Sequence, residues 1–313
     1  MLMRIKIHML NIGDADSIIV QLEDPFKNQL TLLVDGGESG HAKTIIGYFA
    51  KINDVPDIII STHLDSDHVG GLRGVIEAYG NKIEAIWAHR PEEHVASLKD
   101  IILEKAQRSH DYVVLNASID DLNNFIDIAE RNKIKILEPF SNKQPPEIKE
   151  KCSQWGIKIL GPSVDFYEDQ IERCKEDFIL GMQGEAVQDL SEYVIKAITN
   201  PCANLGGGID TPTNESSIIF QIDAGFTKYL FTGDAGLCAF NDIKGKLEKI
   251  DWLKVPHHGS RKNLDSEIIN ILQPTTSFIP GNNPNTSLIG CLENHGNVKW
   301  TGKEGVLIKH NYQ

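Results

Sequence analysis

Three observations predict an α/β protein. The N-terminal stretch MLMRIKIHMLNIGDADSIIV alternates, with Ile5, Ile7 and Met9 on one side and Arg4, Lys6 and His8 on the other, the period of a half-buried strand. PDIIIST, by contrast, is a short, continuous β-branched run, as expected of a strand covered on both faces. Finally, two strand-rich ends, each a few strands followed by helices, flank a section at 91–200 that reads as mostly helical. A chain of 313 residues accommodates two domains, or one large unit with an insertion. The reading adopted is a single domain over 1–313 with an insertion at 91–200.

Taken in order, DSIIVQLE and QLTLLVDGG read as strands on either side of DPFKN, whose Pro25 and Asn28 suit a turn. AKTIIGYFAKI places Ile45, Ile46, Phe49 and Ile52 at helical spacing. After PDIIIST and a helix, KIEAIWAHR reads as the next strand. Within 91–200, PEEHVASLKDIILEKAQR and SIDDLNNFIDIAERN look helical, the second opening with the capping pair Ser118 and Asp121. KIKILEPF and GIKILGP are short strands separated by SNKQPPEIKEKCSQW, read as a Pro-containing loop, and two more helical patterns lie around 163–176 and 185–198. NPCANLGGGIDTPTNESS is a loop by composition. SIIFQIDAG and TKYLFTGDA then form a hairpin around Gly225, DWLKVPHHGS is a strand, SEIINILQP a helix, TTSFIPG a strand and GVLIKH the last strand.

Composition narrows the function. Hydrophobic residues at 41% and charged residues at 24% are ordinary for a globular chain. A net charge of −13 argues against a non-specific grip on long nucleic acid, which runs on clustered Lys and Arg. The five cysteines (Cys152, Cys174, Cys202, Cys238, Cys291) form no CxxC pair, which fits reduced thiols in a reducing compartment. No run approaches the roughly 18 apolar residues of a membrane span, and the N-terminus reads as a strand rather than a signal peptide. The expectation is a cytoplasmic protein with no membrane partner.

The chemistry concentrates in IIISTHLDSDHVGGL, residues 58–72, where His63, Asp65, Asp67 and His68 fall within six positions. Carboxylates this close repel unless a cation sits among them. Imidazole with carboxylate suits Zn, Mn or Fe, and an oxygen-rich set drifts toward Mn. Other ligand-type residues also follow apolar strands: Asp35 in LLVDGG, Asp234 in LFTGDAG, and His257 and His258 in LKVPHHGS.

This ordered set resembles the metallo-β-lactamase superfamily, whose signature runs from an Asp after an early strand through HxHxDH and a later His to an Asp and a final His. Asp35 matches the first; His63, Asp65, Asp67 and His68 match the second; Asp234 matches the late Asp, and His257 or His258 the final His. It looks closer still to the ComEC-like branch, the metallohydrolase domain of DNA-uptake competence proteins, which carries HxDxDH, TGD and PHHGS and opens with a GQGD turn comparable to IGDAD here. The likeness covers residues 3–90 and 200–310. Three departures stand out: Asp65 replaces a usual His, Asn214 occupies the place of the mid-chain His, and Asp14 and Ala15 replace Gln and Gly while Asp16 is retained.

The resemblance implies an αββα sandwich: two mixed β-sheets face to face, helices outside, and a metal site at one edge. It implies two divalent metal ions, Zn or Mn with Fe as a third choice. His63, Asp65 and Asp234 would hold one; Asp67, His68, Asp234 and His257 the other, with Asp234 shared. Asp67 and His258 are the expected catalytic residues, and Asp16, Asp35 and Asn214 stand behind the ligands. Lys254, Ser260 and Lys262, with Arg261, are candidates to hold an anionic substrate, and His295 is a candidate pocket residue because the ComEC-like branch carries a His near there. The implied activity is hydrolysis of a small phosphodiester or short nucleic acid by a metal-bridging hydroxide. Its rivals are an ester, lactone or thioester hydrolase, and a non-catalytic metal-binding module that meets a protein partner through 91–200.

Overall fold

The computed structural model describes residues 3–94, 125–180, 201–208 and 210–311. Thirteen strands among them build two sheets. The first runs in the order β13-β1-β2-β3-β4-β5-β6, from β1 (Arg4–Met9), β2 (Ile18–Glu23), β3 (Gln29–Val34), β4 (Ile58–Ile60), β5 (Ala85–Trp87), β6 (Lys135–Leu137) and β13 (Leu307–His310). The second runs β12-β11-β10-β9-β8-β7, from β7 (Ile157–Gly161), β8 (Ile219–Asp223), β9 (Lys228–Phe231), β10 (Trp252–Lys254), β11 (Thr276–Ile279) and β12 (Asn297–Trp300). Both are mixed. β13, β1, β2 and β3 pair antiparallel and β3 to β6 parallel, while β7, β8 and β9 pair antiparallel and β9 to β12 parallel.

Period-2 patterning directs one face of each sheet inward. Ile5, Ile7 and Met9 of β1 are buried in the same cluster as Phe220 and Ile222 of β8, Phe231 of β9 and Trp252 of β10, the layer between the sheets. The other faces carry the helices. Ile45 and Phe49 of the helix Ala42–Ile52 and Leu72, Val75 and Ile76 of Leu72–Tyr79 cover Ile19, Leu33, Ile59 and Ile86 of the first sheet. Phe240, Ile268, Ile269, Leu272 and Leu288 cover Leu230 and Leu253 of the second. The continuous run Ile58–Ile60 is buried on both faces, as its sequence predicts. The result is the αββα sandwich.

Several short elements depart from the sequence reading. SNKQPPEIKEKCSQW contains a helix, Pro146–Trp155, because Pro146 stands at the helix start, where its missing N–H costs nothing, and Gly156 closes it at φ 62. The helix Thr286–Glu293, capped by the Asn285 side chain, and the half-exposed strand β12 were not anticipated. The two strands expected inside 91–200 are β6 and β7, and each is an edge strand. The helix expected around 163–176 spans Val164–Leu180, and 125–131 is helical. Most of PEEHVASLKDIILEKAQR, the Ser118–Asp121 cap and the pattern at 185–198 lie outside the described residues. Reduced thiols were expected throughout, yet Cys202 and Cys291 form a disulfide across 89 residues, because the turn Pro201–Asn204 packs on the helix Thr286–Glu293 and brings their Cα atoms to 5.0 Å. Cys152 and Cys238 are free thiols. Among the described residues, no helix is long and apolar enough to cross a membrane.

Candidate metal centre

Parallel strands that end together leave a crevice at their carboxyl ends, and every ligand-type residue read from the sequence follows such an end. In the first sheet, Val34 pairs with Ile60 and Ile60 with Trp87, so Asp35 and the Ser61–Thr62–His63 turn emerge side by side. In the second, Leu230 pairs with Leu253, which releases Gly233–Asp234 beside Pro256–His257–His258. The chain after His63 turns through Asp65, the N-cap of the short helix Ser66–Val69. It passes under the loop at 36–39 so closely that a Cβ on Gly71 would lie 2.1 Å from the Gly36 carbonyl oxygen. Glycine is required there by space rather than by φ.

Asp35 organises the histidines. Buried and held at φ 59, it accepts hydrogen bonds from the Thr62 backbone N–H (2.8 Å), the Thr62 hydroxyl (2.7 Å) and His68 Nδ1 (2.9 Å). With its proton spent on Asp35, Thr62 Oγ1 accepts from His63 Nδ1 at 3.1 Å. One carboxylate thereby sets both tautomers and leaves Nε2 of His63 and His68 bare. On the opposite wall, His258 Nδ1 donates to the Pro280 carbonyl at 3.0 Å, which frees its Nε2 as well.

Carboxylates surround these bare nitrogens. His68 Nε2 lies 3.4 Å from Asp234 Oδ2 and 3.7 Å from Asp67 Oδ2. His258 Nε2 lies 3.1 Å from Asp67 Oδ2 and 3.7 Å from Asp234 Oδ2, and His63 Nε2 lies 3.7 Å from Asp65 Oδ2. One ligand atom each from Asp16, His68, Asp234 and His258 falls within 4.8 Å of all the others. Nε2 of both His63 and His68 is buried without a hydrogen-bond partner. Bare imidazole nitrogens aimed at carboxylates repel unless a proton or a cation lies between them, so this donor set fits a divalent metal.

The electrostatics carry the same message. Burial works against charge on His68, yet Asp234, Asp35 and Asp16 push its pKa well above the usual histidine value. Burial also opposes charge on His258, but the Asp67 hydrogen bond, with Asp234 and Asp16, lifts it to about 9. Asp67 resists burial through His258 and His68 and sits at about 2, and Asp234 is held well below the carboxylate range by Lys254 and His68. The field of this crevice favours positive charge.

Other expected residues sit differently. His257 Nδ1 donates to Asp210 Oδ2 at 2.8 Å, and it is the His258 ring whose Nε2 meets Asp67 and Asp234. Asp16 lies within the cluster rather than behind it. Asn214 is buried and donates to Asp210 Oδ1 at 2.9 Å, with its own Oδ1 unpartnered. Lys254 is no surface anion holder. On buried β10 it is 1% exposed and its ammonium is ion-paired with Asp16, lies 3.1 Å from Asp234 Oδ1 and donates to the Gly233 carbonyl at 2.6 Å. His295 precedes β12, whose first residue pairs with Thr276 at the start of β11, so it lies at the opposite end of the sheet from the crevice. Ser260 and Lys262 follow the paired histidines on the rim, with Lys262 exposed and its backbone N–H donating to Ser260 Oγ at 3.3 Å.

Asp210 was missed. It accepts from His257, Asn214, the Thr211 backbone and Asn263, and Asn263 also donates to the Asp234 carbonyl at 3.0 Å. Its only signal in the sequence is an acid four residues before Asn214 in a glycine-rich loop.

Residues 13–140, less than half of the chain, match the family described as the metallo-beta-lactamase superfamily. No curated protein matches the sequence. Among solved structures, a long form of RNase Z from yeast aligns over 97% of this chain and 41% of its own at 12% identity, with a TM-score of 0.44. A mutant of the CmlA beta-hydroxylase aligns over 98% of this chain and 54% of its own at 11% identity, with a TM-score of 0.42. The chain thus spans about half the length of these structures or less. The similarity to the metallo-beta-lactamase superfamily is thus a finding for residues 13–140, the part that carries Asp16, Asp35 and the ligand loop His63–His68.

Proposed function

We propose that the protein is a metal-dependent hydrolase acting on a small phosphodiester or short nucleic acid. The observation that carries this reading is the convergence of Nε2 atoms from His63, His68 and His258 on Asp65, Asp67 and Asp234 at one edge of the sandwich. Two divalent ions, Zn or Mn, held by these residues would supply a water activated near neutral pH and positive charge for the oxygens of the scissile group. His63, Asp65 and Asp234 form one half of the ligand set; Asp67, His68, Asp234 and His258 form the other. Asp35 fixes two of the rings through its hydrogen bonds, and Lys254 balances Asp16 and Asp234 from below. His257, fixed by Asp210, has a side chain 35% exposed. Ser260 and Lys262 on the same loop are placed to meet an anionic group. The phosphodiester assignment draws on the ComEC-like order HxDxDH, TGD, PHHGS.

The test compares a chromogenic bis-phosphodiester, a short single strand, a duplex and a lactone, each with Mn and with Zn, alongside elemental analysis. Metal-dependent turnover of the phosphodiester or short strand, lost in His63→Ala and Asp67→Ala, is the expected result. Turnover of the lactone alone makes the protein an ester hydrolase. Inactivity of a fully metallated sample on every substrate favours a binding module.

A further inference from the structure

The disulfide Cys202–Cys291 lies outside the crevice, yet each of its ends leads into the loop that carries His257 and His258. On one side, Cys202 opens the segment 201–216. The Gly206 N–H donates to the Arg261 carbonyl at 2.9 Å. Asp210 receives His257 Nδ1 at 2.8 Å, and Asn263 donates to Asp210 as well. On the other side, Cys291 belongs to the helix Thr286–Glu293. The residue capping that helix, Asn285, donates its N–H to the Gly259 carbonyl at 3.0 Å, and Pro284 packs against Gly259. A Cβ on Gly290 would meet Pro201 at 3.1 Å, so turn and helix are in close contact at the bond itself.

The loop between these supports has an unusual backbone. His257 and His258 are consecutive non-glycine residues at φ 47 and φ 51. Left-handed φ in two adjacent side-chain-bearing residues persists only where the surroundings over-determine it. The surroundings include the segment that carries Cys202 and the helix that contains Cys291, beside Asp234, which accepts the His257 N–H at 3.1 Å, and the Pro280 carbonyl, which accepts from His258 Nδ1 at 3.0 Å.

We propose that the Cys202–Cys291 disulfide is a redox-sensitive clasp on the histidine loop, with Asp210 as the positioning residue that carries its state to His257. A dithiol reductant attacks the sulfur of Cys202, a half-buried residue beside the fully buried Cys291; Cys291 leaves as a thiol, and the mixed disulfide resolves to release Cys202 as a second thiol and the oxidised dithiol. Two electrons and two protons pass to the protein. With the bond open, the segment 201–216 loses its covalent anchor, Asp210 separates from His257, and the left-handed turn relaxes. The consequence for catalysis rests on the hydrolase reading above; the coupling between disulfide and loop does not.

Hydrogen exchange on the full chain, with and without a dithiol, tests the coupling directly. Reduction should speed amide exchange about tenfold or more across 203–216 and 255–263, while β1 and β2 stay unchanged. A Cys202→Ser, Cys291→Ser variant should exchange fast in both conditions. A Cys152→Ser, Cys238→Ser variant should respond to the dithiol as the wild type does. Gain of two thiols with unchanged exchange over 255–263 would overturn the proposal, as would alkylation of Cys202 and Cys291 in protein denatured without reductant. Where exchange responds but no phosphodiester is cleaved in either state, the phosphodiesterase reading fails and the clasp stands.

Discussion

Lys254→Met isolates the charge balance beneath the crevice. Lys254 is 1% exposed and its ammonium faces Asp16 and Asp234, two carboxylates similarly removed from water. At an effective dielectric of about 20, one such pair at the 3.1 Å observed to Asp234 is worth about 5 kcal/mol before desolvation. Methionine fills a similar volume, so the variant removes charge with little loss of packing, and breaking a buried pair from one side costs about 3–5 kcal/mol. Urea unfolding in chelator reads this out. With a slope near 3 kcal/mol per M, the midpoint should fall by about 1–1.7 M. Saturating Mn should narrow the gap between variant and wild type, because a bound cation supplies the charge that the lysine gave and stabilises by mass action. A Lys254→Met midpoint in chelator within about 0.3 M of wild type, a difference of about 1 kcal/mol, would refute this account.

Three further outcomes are expected. Asp35→Asn should weaken metal binding about 10- to 100-fold by competition with a chromogenic chelator, because an amide cannot accept all three hydrogen bonds that fix His68 and Thr62; unchanged affinity would remove Asp35 from its supporting role. Opening Cys202–Cys291 by the double serine substitution should lower stability by up to about 4–5 kcal/mol on the chain-entropy account for a loop of this span, read as a fall in denaturation midpoint under non-reducing conditions. His89 and His94 should act on stability with opposite signs. Burial holds His89 down at about 3, so the stability linked to it is lost as pH falls from about 6.5, its unfolded value, toward 3. Despite burial, His94 is raised by Glu168 at 3.0 Å and Glu138 at 3.0 Å, so its contribution is fully present below about pH 6.5 and lost as pH rises through its folded value. His89→Phe should therefore gain on wild type in acid, and His94→Gln should lose most there; pH-independent gaps would contradict both.

The fold was legible where patterning is strong. Alternation in β1, the triple isoleucine of β4 and the helical spacing of Ile45, Phe49 and Ile52 each report a face buried against a neighbour. The ligand loop was legible because His63, Asp65, Asp67 and His68 are local. Relations across the chain were not. Nothing near His257 reveals that Asp210, 47 positions earlier, would accept from its Nδ1. Lys254 looked like an anion holder from its place before PHH, although Trp252 and Leu253 before it, one on each face, already mark a strand with both faces covered. The disulfide escaped for the same reason, since pairing across 89 residues follows from packing of a turn on a helix and leaves no mark in spacing. Tandem prolines suggested a break at 145–146 because a loop and a helix start use the same residue.

The pairing of β13 with β1 has a kinetic consequence. Lys6 lies opposite His310 and Met9 opposite Leu307, and the Asn311 side chain receives the Ile5 N–H at 2.8 Å and donates to the Met3 carbonyl at 2.9 Å. β1 is therefore covered by a strand made about 300 residues later, a loop closure across almost all of the elements described above. During synthesis β1 presents an open hydrogen-bonding edge to whatever strand is nearby. Arg4 and Lys6 on that strand place positive charge along the waiting edge, which discourages a second nascent copy from pairing there before Leu307–His310 arrives.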